Sequence, residues 1–192
     1  SFDIFRPAGV DKDGRTRARL AEIQTQVKKL SQDYSSKINA DTGTLQVDAA
    51  KLADMPKDWL DAHKPDADGK ITITTDYPDY FPVMSFAADD GVRHALWDVY
   101  ASRGLPENPE TLRQLLTLRK EAATILGRPS WAAYSVQDGM AKTPETVEGF
   151  LADIADAARP RAAADLARAL EEKKKVMPDA KAIEVWDRFY YA

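Results

Sequence analysis

The stretch Gly139–Pro160, GMAKTPETVEGFLADIADAARP, sets the fold class. Thr143 stands where it can cap a helix, and Pro144 suits the first helical position, where no N–H partner is needed. Glu145 then places negative charge near the positive end of the helix dipole. Val147, Phe150, Leu151, Ile154 and Ala158 recur at steps of three and four, so one face is apolar and calls for burial. Pro160 falls inside this pattern and predicts a kink, or a break into a second helix reaching about Lys175, because proline has no N–H for the Asp156 carbonyl and its ring crowds it.

The same helical period extends outward in both directions. Leu20, Ile23, Val27, Leu30, Tyr34 and Ile38 mark a long amphipathic helix between Arg15 and Ile38, which NADTGT then breaks. DAAKLADM reads as a turn or two of helix, and Pro56 can open another through Trp59 and Leu60. Val92, Leu96, Val99 and Tyr100 define a helix ended by Gly104 and Pro106; a second runs from about Pro109 to Leu126 and stops at Gly127. Ser130 can cap a short helix carrying Trp131 and Tyr134, and Pro178 sets off the last segment. Only KPDADGKITITTDYPDYFPVMSFA changes period. Ile71 and Ile73 alternate with Thr72 and Thr74 as in a strand, and Phe81–Phe86 can form a second extended segment that Pro82 confines to an edge or bulge. The expectation is a mainly α fold, a multi-helix body with one small β element at about residues 70–87. It is organised as long and short helices over 1–66, the β element over 67–88 and a helical region over 89–192.

Composition excludes several functions. Charged residues make up 30% of the 192 residues and the net charge is −4, which argues against a nucleic-acid module with its basic face. There is no cysteine, hence no disulfide framework, thiolate zinc site or cysteine nucleophile. No apolar run approaches a membrane span, and the first residues lack the layout of a signal peptide. A cytoplasmic location is expected.

Candidate chemistry is sparse. Neither His63 nor His94 lies in H-E-x-x-H, the i, i+4 pair that holds zinc with a glutamate base between, so each reads as a surface or boundary residue. DADGK, Asp66–Lys70, misses the calcium-loop spacing and reads as a surface turn. Asp89 and Asp90 open a helix, where capping explains them better than paired catalytic carboxylates. Lys173–Lys175 end a helix and read as a solvated face, while the rings of YPDYF read as core. No phosphate-binding glycine loop and no nucleophile elbow is present.

Three stretches read together resemble a known family. FDIFRPAG before a long helix, TTDYPDYFPVMSFA before VRHALWDVYASRG, and LRKEAATILGRPSWAAY leading to MAKTPE are similar to the middle of one zinc-metallopeptidase family. It is the family of thimet oligopeptidase, neurolysin, bacterial oligopeptidase A and dipeptidyl carboxypeptidase. WDRFYYA resembles its W-D-x-x-Y-Y stretch at Trp186, Asp187, Tyr190 and Tyr191. The resemblance implies a helical peptidase with a deep channel that cleaves short peptides, using one zinc and a glutamate base.

In that family the zinc ligands and main substrate-binding residues lie beyond the W-D-x-x-Y-Y stretch. No catalytic, cofactor-binding or metal residue is therefore assigned to any position here. The chain is expected to be an inactive scaffold portion of a bacterial-type parent enzyme, with zinc and short peptides belonging to the parent. The alternative is a stand-alone, non-catalytic helical binding module. Neither nucleic acid nor membrane is expected as a partner. Trp186, Phe189, Tyr190 and Tyr191 crowd much aromatic surface into six positions, from which self-association without biological meaning is expected.

Overall fold

Asp13 starts the first helix. Its carboxylate accepts from the N–H groups of Arg15 and Thr16, at 2.9 and 3.0 Å, and from the Thr16 hydroxyl. In this computed structural model, which describes residues 9–191, the order is α1 (Gly14–Ala40), β1 (Thr44–Asp48), α2 (Lys57–Ala62), β2 (Lys70–Thr74), α3 (Tyr77–Phe86), α4 (Asp90–Ala101), α5 (Asn108–Ile125), α6 (Trp131–Val136) and α7 (Pro144–Val176). Short 3-10 turns occupy Ala49–Leu52 and Val185–Asp187. The protein is mainly α with one small β element. Residues 2–8 of the FDIFRPAG stretch lie outside the described residues.

The chain divides into two compact units: one of Ser1–Asn39 with Gly104–Ala158, the other of Ala40–Arg103 with Arg159–Ala192. In the first, Leu20 and Ile23 of α1 bury against Ala122 of α5, with Val27, Leu118, Ile125 and Trp131 packed around them. Asn108 fixes the start of α5 by donating from Nδ2 to the Tyr34 carbonyl at 3.1 Å. Ser130 caps α6 by accepting from the Ala133 N–H, and Thr143 does the same for α7 from Thr146.

In the second unit β1 and β2 pair antiparallel, with Leu45 opposite Ile73 and Val47 opposite Ile71. Ile71 and Ile73 are 2% and 0% exposed while Thr72 faces out, as the period-two reading requires. They join a core of Leu52, Met55, Trp59, Tyr80, Val83, Met84, Val92 and Leu96. Gly43 lets β1 approach α4, for a Cβ there would lie 2.4 Å from Val99 Cγ1.

Two expectations need correction. The partner of the Ile71–Ile73 strand is Thr44–Asp48, and Phe81–Phe86 is not extended but lies within helix α3. Tyr80, Val83, Met84 and Ala87, all buried, recur at i, i+3, i+4 and i+7, so the helical period outweighs the β preference of the aromatics. Pro78 sits in the first turn, where it is tolerated, and α3 accommodates Pro82 within its length. Of the kink or break expected at Pro160, the break does not form: α7 is one helix from Pro144 to Val176, with Pro160 inside it.

Candidate functional site

Arg93 is the largest fully buried side chain. It projects from α4 on the face of Leu96, Trp97 and Tyr100, at i+3, i+4 and i+7, where the helical pattern calls for an apolar residue. Its Nη1 donates to the Ala87 and Ala88 carbonyls at 2.7 and 3.0 Å, its Nη2 to Asp187 at 2.9 Å and Asp90 at 3.0 Å. Asp187 is fully buried too. On its other oxygen it accepts from Lys173 Nζ at 2.5 Å and from the Glu184 N–H at 2.9 Å. Lys173 also stands 3.6 Å from Asp90. Two cations thus meet two carboxylates inside the second unit.

Aromatic residues close this cluster. The Tyr190 ring lies 4.3 Å from the Arg93 guanidinium, a cation–π distance. Trp186 stacks on His94 at 3.7 Å and donates from its indole to Asp90. Phe189 meets Phe81 edge to face. Burial by itself pushes the Asp187 carboxyl up; the hydrogen bonds from Lys173, Glu184 and Arg93, with the Lys173 charge, outweigh it and hold the group below the usual carboxylate range. Burial pulls Lys173 down, and its bond to Asp187 together with the Asp187 and Asp90 charges overcomes that and raises it.

Both Asp187 oxygens accept hydrogen bonds from within the cluster. The arrangement is a closed clasp joining α4, the end of α7 and the Trp186–Tyr191 segment. The solvated face expected of Lys173–Lys175 holds only for Lys174 and Lys175; Lys173 is 4% exposed. Asp89 caps α4 as expected, accepting from the Val92 N–H, but Asp90 belongs to the clasp. The missed signal was three charges set in apolar slots. Lys173 follows Leu166, Ala169 and Leu170 at helical spacing, and Asp187 lies among aromatics.

The histidines are committed elsewhere. His63 faces the Trp59 carbonyl through Nδ1 and Asp79 through Nε2, both at 2.8 Å, and stacks on Trp59. Asp79 in turn accepts from the N–H and hydroxyl of Thr74. Both ring nitrogens of His63 thus lie within hydrogen-bond distance of protein oxygens. Asp66 closes the DADGK turn by accepting from the N–H groups of Asp68 and Lys70. Among the described residues no three His, Cys, Asp or Glu side chains converge as a metal-binding group. A groove of about 1000 Å³ lies between Arg161–Glu172 and Ile183–Tyr191, and both of its α7 arginines, Arg161 and Arg168, are held by Asp165.

The clasp residues fall within the region matched by a family model: that of peptidase family M3 covers residues 83–192. The chain belongs to peptidase family M3. Oligopeptidase A of Escherichia coli is 31% identical over 98% of this chain and 30% of its own length. Saccharolysin of Saccharomyces cerevisiae is 28% identical over 100% of this chain and 28% of its own. Dipeptidyl carboxypeptidase of E. coli is 27% identical over 98% of this chain and 29% of its own. The chain thus spans about 30% of the length of these M3 relatives. The family expected from the sequence is the family found.

Proposed function

We propose that this chain is a scaffold portion of a zinc-dependent M3 oligopeptidase that hydrolyses short peptides, and that its own residues include no zinc site. The observation that carries the reading is the family match over residues 83–192, joined to relatives of whose length the chain spans only about 30%. Zinc held by residues elsewhere in the parent enzyme would supply Lewis-acid chemistry at the scissile carbonyl. This chain's part is to hold α4, α7 and the Trp186–Tyr191 segment in fixed register through Arg93, Lys173 and Asp187. We assign the enzyme to the cytoplasm; no helix among the described residues is long and apolar enough to cross a membrane. Self-association through the C-terminal segment would have to compete with packing within the chain, where Trp186 and Tyr190 lie on His94 and Arg93. Light scattering reads it directly.

Metal analysis and a quenched-fluorescent peptide assay test the main reading on the 192-residue chain and on the full-length polypeptide. The chain should bind no stoichiometric zinc and show no turnover, whereas the full-length protein should show chelator-sensitive hydrolysis. One tight zinc per 192-residue chain, with chelator-sensitive turnover, would overturn the scaffold reading.

A further inference from the structure

The opening stretch of α7 has an apolar face and leaves it bare. Phe150, Leu151 and Ile154 are 63%, 57% and 49% exposed. At about 100° per residue, Val147, Phe150, Leu151, Ile154 and Ala158 fall within an arc of about 100°. On the same wheel Glu148 and Asp153 stand about 60° beyond its two edges. Glu145 and Asp156 occupy the far side. From Pro144 to Ala158 there are four carboxylates and no Lys, Arg or His.

We propose that this face is a docking surface for another segment of the parent polypeptide, a helix whose apolar stripe is flanked by Lys or Arg. The inference rests on the reading of the chain as part of a longer peptidase, whose relatives have roughly 70% of their length beyond the matched portion. Charge selects the occupant. A parallel second copy packed face to face would set Glu148 beside the copy's Asp153 along both edges, and an antiparallel copy would set the Glu148 edge on the Glu148 edge and the Asp153 edge on the Asp153 edge, like charge against like either way. An anionic bilayer meets the same repulsion. A stripe with basic flanks gains apolar burial at Phe150 and Ile154 and complementary charge at Glu148 and Asp153.

The absence of cysteine makes the test direct. Phe150→Cys and, separately, Ala158→Cys are introduced into the 192-residue chain and into the full-length polypeptide. Maleimide labelling is then followed by mass spectrometry of the peptide spanning the new thiol. Ala158→Cys adds a single heavy atom and keeps the test open should Phe150→Cys undo the docking. Labelling is expected to be fast in the chain and at least about ten-fold slower in the full-length protein. Adding Glu148→Lys with Asp153→Lys should restore fast labelling there and change nothing in the chain. Equal rates in the two proteins, or protection indifferent to the charge reversal, would overturn the proposal. So would labelling in the chain that slows with its own concentration, the mark of a second copy. Peptide turnover by the unmodified full-length enzyme is read separately: turnover with equal labelling sinks the docking surface alone, and protection without turnover sinks the functional reading alone.

Discussion

The two units solve burial differently. The second, built around β1, β2, α3 and α4, closes over a core of twelve buried residues, and even its interior charges find partners. The first buries Leu20, Ile23 and Ala122 together and leaves Leu112 and Leu116 of α5, with Phe150, Leu151 and Ile154 of α7, facing outward. The same contrast holds for ion pairs. Arg19 grips Glu121 through Nε and Nη2 at 2.7 and 2.8 Å, as good a geometry as Arg93 has with Asp187, yet both groups are more than a third exposed. Geometry alone does not make an ion pair matter. Burial decides what its loss costs, because an abandoned charge inside a protein has no water to turn to.

The largest effect should come from the clasp. Asp187→Ala leaves Arg93 and Lys173 to share the single carboxylate of Asp90 and should destabilise the chain by about 3–5 kcal/mol in urea unfolding; a change below 1 kcal/mol or so would show that water reaches the cluster. Acid should act on the same residue. Its carboxyl is held low when folded, so its contribution is complete above the ordinary carboxylate value of about 3.9 and is lost as pH falls through the folded value. Lys173, raised when folded, contributes fully below the ordinary lysine value of about 10.4 and loses that as pH rises through its folded value. Wild type should therefore hold a stability plateau between these limits, and Asp187→Ala should flatten the acid limb.

Truncation of the apolar residues sharpens the comparison. Ile73→Ala should cost about 2–5 kcal/mol, whereas Ile154→Ala, on the bare face of α7, should cost about 0.5 kcal/mol or less. Equal costs would mean that α7 is covered within this chain. Gly43→Ala forces a methyl against Val99 and should cost about 1–3 kcal/mol. Arg19→Ala should be the mildest change, within the scatter of a melting curve and smaller still in high salt, because water and ions screen the exposed pair.

Much of the fold was legible because helical period is a strong signal when it persists. α1, α4, α5 and α7 were readable from the recurrence of Leu20, Ile23 and Val27, or of Val92 and Leu96, and from the caps at Ser130 and Thr143. β1 was hidden because five residues, TLQVD, carry only two apolar side chains after a glycine turn. α3 was misread because aromatics and two prolines suggest extended chain, although Tyr80, Val83, Met84 and Ala87 keep helical time. The clasp was illegible for a different reason. Arg93, Lys173 and Asp187 are far apart in sequence, and an isolated charge in an apolar stripe reads as noise until its partner is located.

Amide hydrogen exchange on the 192-residue chain tests the contrast between the units most directly. Exchange in the β1–β2 pair and in α4 should be slowest, close to the rate set by global unfolding of that unit, while α7 from Pro144 to Ala158 should exchange far faster through local opening. Uniform protection across both, with Phe150 and Ile154 shielded in the chain by itself, would contradict the account.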